Sequence, residues 1–262
     1  MYKNNAITRY LLMIVLLMLS CSNIHYSQTQ TSNVYENQII KASYAFSFLT
    51  ITATATMYCP DSNVICAQSL MKATASGVIV SKNSNSKTAY ILTANHFCDN
   101  HVKENKIVKH TAFGDVKLTL TTKLDLVDKN GINFKDANIF KTNPTNDLCV
   151  ISATYNSDNI ITPIEIAKSE PTQYTKIFNI AAPKGKFIPG SPLAFDGLYV
   201  GYNKLKNMLT ITLTVMPGSS GSMVLDGKGH LFAIILERTI GIDTVGYASP
   251  LVNIKNIIAD IL

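Results

Sequence analysis

Val215-Met216-Pro217-Gly218-Ser219-Ser220-Gly221-Ser222-Met223-Val224-Leu225 is a turn of small residues held between two apolar runs. Glycine tolerates positive φ and close backbone approach, so a serine between glycines can present its hydroxyl at the edge of a rigid sheet. The same tight geometry turns successive backbone N–H groups toward one point, where they can stabilise an oxyanion. A Gly-Ser-Ser-Gly-Ser run is also ordinary turn or linker composition, so its meaning depends on the rest of the chain.

Around this turn the periodicity is that of strands. Ala75–Val80 and Tyr90–Ala94 flank a Ser/Asn/Lys turn, and further β-rich runs lie at Lys117–Leu126, Leu148–Ala153, Lys176–Ala182, Leu209–Val215, His230–Leu236 and Val245–Ala248. The one helical pattern is terminal, with Ile254, Ile257, Ile258, Ile261 and Leu262 at three- and four-residue spacing. Many short strands without alternating helices point to an all-β domain of antiparallel barrels or a sandwich, and away from a doubly wound sheet.

The first 21 residues have the pattern of an export signal: Lys3 and Arg9 precede the apolar run Leu11–Leu19, which is short for a bilayer span. Cys21 follows directly and resembles the lipidated cysteine of bacterial lipoproteins, although Met18 stands where leucine is usual. An exported protein, periplasmic or at the cell surface, either free or held to the membrane by an N-terminal lipid on Cys21, is the expectation. Residues 22–40, rich in Ser, Gln, Thr and Asn, are expected to be a polar tether. Residues 41–262 then form the folded domain, with ample chain for a core. The net charge is +6 over 262 residues, two of it from Lys3 and Arg9, and the lysines are dispersed. Nucleic-acid binding therefore has little support.

A nucleophilic serine needs a base, and the base needs a carboxylate to fix its tautomer. Among five histidines, His96 stands just past the apolar strand Tyr90–Ala94. His25 falls in the tether, and His101, His110 and His230 have polar or turn neighbours. Asp147 opens the apolar run Leu148–Ile151, where a carboxylate is partly desolvated and must be paired. Asp99, Asp115, Asp125, Asp128 and Asp136 have polar neighbours that suit a solvated face. The candidates run His96, Asp147, Ser220. The spacing of His96, Cys98 and His101 fits no common zinc motif, and no Gly-rich loop opens a helix to hold a nucleotide, so neither a metal nor a cofactor is expected.

Thr93-Ala94-Asn95-His96, Asp147-Leu148-Cys149-Val150 and Gly218-Ser219-Ser220-Gly221-Ser222 resemble, in order, the histidine, aspartate and nucleophile blocks of chymotrypsin-like (trypsin-like) serine proteases, nearest to the HtrA type. Ser76-Gly77-Val78-Ile79 and Ile180–Gly185 resemble the strand ahead of the histidine and a turn of the second barrel. The resemblance implies a chymotrypsin-like double antiparallel β-barrel, roughly residues 41–160 and 161–250, with a short C-terminal helix. It implies a serine endopeptidase acting on a peptide or protein, with His96, Asp147 and Ser220 as triad and the N–H groups of Gly218 and Ser220 as oxyanion hole. A catalytically inactive binding module on the same fold is the alternative. By position relative to Ser220, Thr214 belongs near the base of the primary pocket, with Leu236, Glu237 and Arg238 along one wall; a neutral base favours small or apolar side chains, and an inward-pointing Glu237 would instead favour Lys or Arg. Ser219 stands where digestive members carry an aspartate that captures a freed N-terminus, so activation by N-terminal processing is not expected. Ser222 replaces a glycine and, with Ser219, is a competing hydroxyl. The 42 residues after Ser220 leave no room for a PDZ module.

If Cys21 is acylated, Cys59, Cys66, Cys98 and Cys149 remain, and four thiols allow three pairings. Cys59 and Cys66 enclose a short polar loop that could close locally. Cys98 and Cys149 each lie two residues past a triad candidate, so they would approach one another if the triad forms.

Overall fold

A computed structural model describes residues 35–59, 63–99 and 114–262, with the backbone alone over residues 104–111 and 114–116. The export signal, Cys21, His25, His101 and residues 22–34 of the expected tether lie outside the described residues. Residues 35–43 form a helix, α1. The expected tether therefore gives way to folded chain before residue 40. Tyr35, Ile39 and Ala42 recur at helical spacing and pack on the core, Tyr35 with its ring 5.3 Å from that of Phe178. The polar composition of residues 22–40 hides this short apolar stripe.

The N-terminal part is antiparallel: β1 (Phe46–Tyr58), β2 (Ile65–Asn83), β3 (Thr88–Ala94), the single-turn helix α2 (Asn95–Cys98), β4 (Glu104–Thr111), β5 (Gly114–Asp128), β6 (Lys135–Asn143) and β7 (Leu148–Thr154). Its strand order is β4-β5-β1-β2-β3-β7-β6, and a bridge between Val127 and Asn133 ties the end of β5 to the segment leading into β6, so the sheet curls back on itself. The C-terminal part comprises β8 (Lys176–Ala181), β9 (Leu193–Asn203), β10 (Met208–Thr212), β11 (Met223–Leu225), β12 (Leu231–Thr239) and β13 (Ile242–Ser249), closed as a barrel in the order β10-β13-β12-β11-β8-β9. The helix α3 (Leu251–Ile258) buries Leu251, Ile254, Ile257 and Ile258 and packs on β12, β7 and β6, across both parts. The expected fold, two β-barrel-like sheets with a short C-terminal helix, is observed.

Turn chemistry fixes the hairpins. Between β2 and β3 the Asn83 side-chain oxygen accepts from the N–H groups of Asn85 and Ser86 at 3.0 and 3.1 Å. Between β9 and β10 Asn203 does the same for Leu205 and Lys206. These asparagine turns satisfy the chain reversal locally and set the register of the flanking strands.

Register positions the candidate site residues. Ile79 of β2 pairs with Ile91 of β3, which pairs with Ile151 of β7, and all three are fully buried. A slip of one residue would turn this row to solvent, so the pairing is strongly specified. The last β3–β7 pair is Ala94 with Leu148, which leaves Asn95-His96 and Asp147 emerging side by side. A disulfide between Cys98 and Cys149, with Cα atoms 6.5 Å apart, ties α2 to β7 behind them, and Cys59 pairs with Cys66 across the β1–β2 connection.

Because Cys98–Cys149 closes a loop of 51 residues, the double substitution Cys98→Ala/Cys149→Ala is expected to lower stability by about 2–4 kcal/mol. Urea denaturation followed by circular dichroism measures it, and an unchanged midpoint would contradict it.

Candidate active site

Asp147 sits at the end of a 3₁₀ turn, Pro144–Asn146, whose start is capped by the Asn143 side chain accepting from the Asn146 N–H at 3.1 Å. The turn leaves Asp147 in a left-handed conformation, φ 49° and ψ 46°, a region that short polar side chains such as Asp enter at lower cost than most. Its carboxylate then faces α2 and makes two contacts with one residue. Oδ1 accepts from the His96 backbone N–H at 2.8 Å, and Oδ2 lies 2.8 Å from His96 Nδ1. An ionised carboxylate only accepts, so Nδ1 carries the ring proton and Nε2 is left as the basic nitrogen. The Asp147 carbonyl also accepts from the Asn95 N–H at 3.0 Å, so backbone and side chain both lock the two segments.

His96 is half-exposed, and the hydrogen bond and charge of Asp147 raise its pKa above the ordinary 6.5 against the opposing effect of burial, with Asp99 and Glu237 adding smaller contributions in the same direction. Asp99 is exposed, as its polar neighbours suggest, and its carboxylate accepts from the side chain of the buried Asn95 at 2.8 Å.

The stretch Val215–Leu225 joins β10 to β11 within the C-terminal barrel and also contacts the N-terminal sheet. The Ser220 carbonyl accepts from the Ser76 N–H of β2 at 2.9 Å, while the Gly221 N–H donates to Ile235 of β12 at 2.8 Å. Gly221 has φ +82°, and a Cβ there would collide with the Thr93 hydroxyl and the Ser76 carbonyl, so only glycine allows this approach. The Gly218–Ser222 turn is thereby seated on β2 and β3, the strand that ends one residue before Asn95-His96.

The three serines are clearly distinguished. Ser219 and Ser222 are fully buried: the Ser219 hydroxyl accepts from the Met216 N–H at 3.4 Å, and the Ser222 hydroxyl accepts from the Asn179 side chain at 2.8 Å. Neither competes as an accessible hydroxyl, in contrast to the sequence-based expectation. Ser220 is partly exposed, and its Oγ donates to the Leu236 carbonyl at 3.3 Å, a long bond that is easily exchanged. Among the described residues, the N–H groups of Gly218 and Ser220 have no acceptor, whereas those of Ser219 and Ser222 donate to Met216 and Ser219. The Pro217 carbonyl is turned toward the Lys184 N–H, which aims the Gly218 N–H away from it.

Of the residues assigned to the primary pocket, Leu236 is buried on β12 beside Ser220, Thr214 is partly exposed, and Glu237 is exposed and paired with Lys206, whose ammonium lies 4.3 Å from the Tyr247 ring. Arg238 is paired with Asp243 at 2.6 Å.

Residues 75–234 match the trypsin-like peptidase domain. The chain belongs to the trypsin-like peptidase family. No curated protein matches it in sequence. In structure the trypsin-like domain is similar to the serine endoprotease from Yersinia pestis, with a TM-score of 0.57 and 18% identity over 87% of this chain and 66% of that one. It is also similar to the Rv3671c protease from M. tuberculosis in its active form, with a TM-score of 0.56 and 12% identity over 88% of this chain and 86% of that one. The inactive form of Rv3671c gives a TM-score of 0.56 and 11% identity over 88% and 92%. These likenesses establish the shared fold.

The raised pKa of His96 has a definite sign in solution. Protonated His96 stabilises the fold below its unfolded pKa near 6.5, and that contribution is lost as pH rises through the higher folded value. NMR titration of the His96 ring is expected to give a pKa above 6.5 that falls in Asp147→Asn. The same pKa in both proteins would contradict the pairing.

Proposed function

We propose that this chain is a serine endopeptidase in which Ser220 attacks a peptide carbonyl, His96 Nε2 takes its proton and returns it to the leaving amine, and Asp147 holds the imidazole in the required tautomer. A water then attacks the acyl-enzyme with His96 again as base, releasing the acid product and restoring Ser220. The observation that carries this reading is the double engagement of His96 by Asp147, through the main chain and through Nδ1. Such a clamp leaves Nε2 as the basic ring nitrogen. The partly exposed hydroxyl of Ser220 and the N–H groups of Gly218 and Ser220, which have no acceptor among the described residues, support the same chemistry. Losing one oxyanion donor typically costs about 3 kcal/mol in the transition state.

The substrate is a peptide or protein with a small or apolar side chain before the scissile bond. Glu237 is engaged by Lys206 and Asp243 by Arg238, which supports a pocket without a free counter-charge for Lys or Arg. Export is supported by the disulfides Cys59–Cys66 and Cys98–Cys149, which suit an oxidising compartment, and we assign Cys21 as the lipid attachment point.

A fluorophosphonate probe is expected to label the folded chain lacking residues 1–21, and Ser220→Ala and His96→Ala to abolish labelling. With a peptide substrate, Ser220→Ala and His96→Ala are expected to lower kcat by about 10⁶-fold and Asp147→Asn by about 10⁴-fold. A well-folded native chain that resists labelling would replace this reading with a protease-fold binding module.

In a bacterial host the full chain is expected to incorporate a fatty-acid label and to fractionate with membranes, both lost in Cys21→Ser. Label retained in that variant would exclude Cys21 as the anchor.

A further inference from the structure

We infer that Ser76 is a positioning residue that holds Gly218 and Ser220 in the conformation in which their N–H groups converge, an inference that deepens the reading of Ser220 as nucleophile. Ser76 lies on β2 of the N-terminal sheet, fully buried, and every polar group it owns is spent on a different segment. Its hydroxyl donates to the Gly218 carbonyl at 2.9 Å and accepts from the Ala182 N–H at 2.9 Å. Its N–H donates to the Ser220 carbonyl at 2.9 Å, and its carbonyl accepts from the Thr93 hydroxyl at 2.8 Å. One residue thus links the strand that leads to His96, the end of β8 and both flanks of the nucleophile turn.

The turn needs such an anchor. Gly218 has φ +92°, and a glycine has little conformational preference of its own to stop the peptide units around it from flipping. The buried Ser219 side chain has only the 3.4 Å contact with Met216, a weak restraint. Each peptide unit of the turn is held: Pro217–Gly218 by the Lys184 N–H, Ser219–Ser220 by the Ser222 N–H, Gly218–Ser219 by Ser76 at its carbonyl and Met216 at its N–H, and Ser220–Gly221 by Ser76 at its carbonyl and Ile235 at its N–H, so that Ser76 supplies the hold that comes from the N-terminal sheet. Removing the Ser76 hydroxyl frees the Gly218 carbonyl and leaves the Ala182 N–H without its acceptor, in a buried site where water cannot readily replace either. A hydroxyl suits the place because one group both donates and accepts there. The consequence is a coupling of the barrels at the oxyanion hole: β2 supplies the brace and the C-terminal barrel supplies the donors.

The test uses the same signal-free chain with Ser76→Ala, and with Ser76→Cys, which keeps the side-chain shape but hydrogen-bonds poorly. Amide hydrogen exchange at Ser219, Gly221 and Ser222 is read by NMR against amides of β7, and fluorophosphonate labelling rates are read in parallel. Exchange at the turn is expected to rise about tenfold in Ser76→Ala while β7 is unchanged, labelling to slow about 100-fold, and Ser76→Cys to fall between native and Ser76→Ala in both. Turn exchange unchanged in both variants, or raised equally in the turn and β7, would overturn the inference, since the second pattern is general destabilisation. A native chain that is never labelled, with selective loosening in Ser76→Ala, would sustain the role of Ser76 while removing the assignment of Ser220 as nucleophile.

Discussion

A single carboxylate takes two hydrogen bonds from one residue: Asp147 holds His96 by its backbone N–H and by its ring Nδ1, each at 2.8 Å. Everything around the pair serves to make that meeting possible. The isoleucine row Ile79, Ile91 and Ile151 fixes the register of β2, β3 and β7, and the register ends them so that His96 and Asp147 emerge adjacent. The 3₁₀ turn with its left-handed final residue aims the carboxylate, and the Cys98–Cys149 disulfide closes the same junction from behind. A hydrophobic pattern, a proline-initiated turn and a covalent link thus converge on two side chains.

The serine-rich turn Gly218–Ser222 is organised differently. Three neighbouring serines share similar chemistry, and packing decides between them: Ser219 and Ser222 are buried and bonded inward, and Ser220 alone is partly exposed. Gly221 permits the close seat against Thr93 and Ser76, so the turn belongs physically to both barrels. The charges nearby are satisfied in pairs, Glu237 with Lys206 and Arg238 with Asp243.

Much of this was legible in the sequence because each functional block sits on a strand whose apolar pattern is strong. Tyr90–Ala94 and Leu148–Ala153 read as buried strands, and His96 and Asp147 stand at their ends. The terminal helix was visible in its isoleucine spacing, although Leu262, expected in its apolar stripe, is exposed. Three features were hidden. The helix over residues 35–43 was masked by polar composition, because three apolar residues suffice to dock a short helix on an existing core. The inward turn of Ser222 depends on Asn179, some forty residues away in the chain, and nothing local announces it. Ser76 showed only as a small polar residue within an apolar strand, Ala75–Val80, and its four partners come from segments that folding alone brings together. Local pattern reveals which residues are presented; it does not reveal which distant groups brace them.

The most direct measurement of the account is a crystal structure of the chain after reaction with a peptidyl boronic acid, which forms a tetrahedral adduct on an activated serine. The account predicts boron bonded to Ser220 Oγ, one boronate oxygen within hydrogen-bond distance of the Gly218 and Ser220 N–H groups, and His96 against the adduct with its Nδ1 still on Asp147. An adduct on Ser219 or Ser222, or an oxygen turned away from both N–H groups, would contradict it.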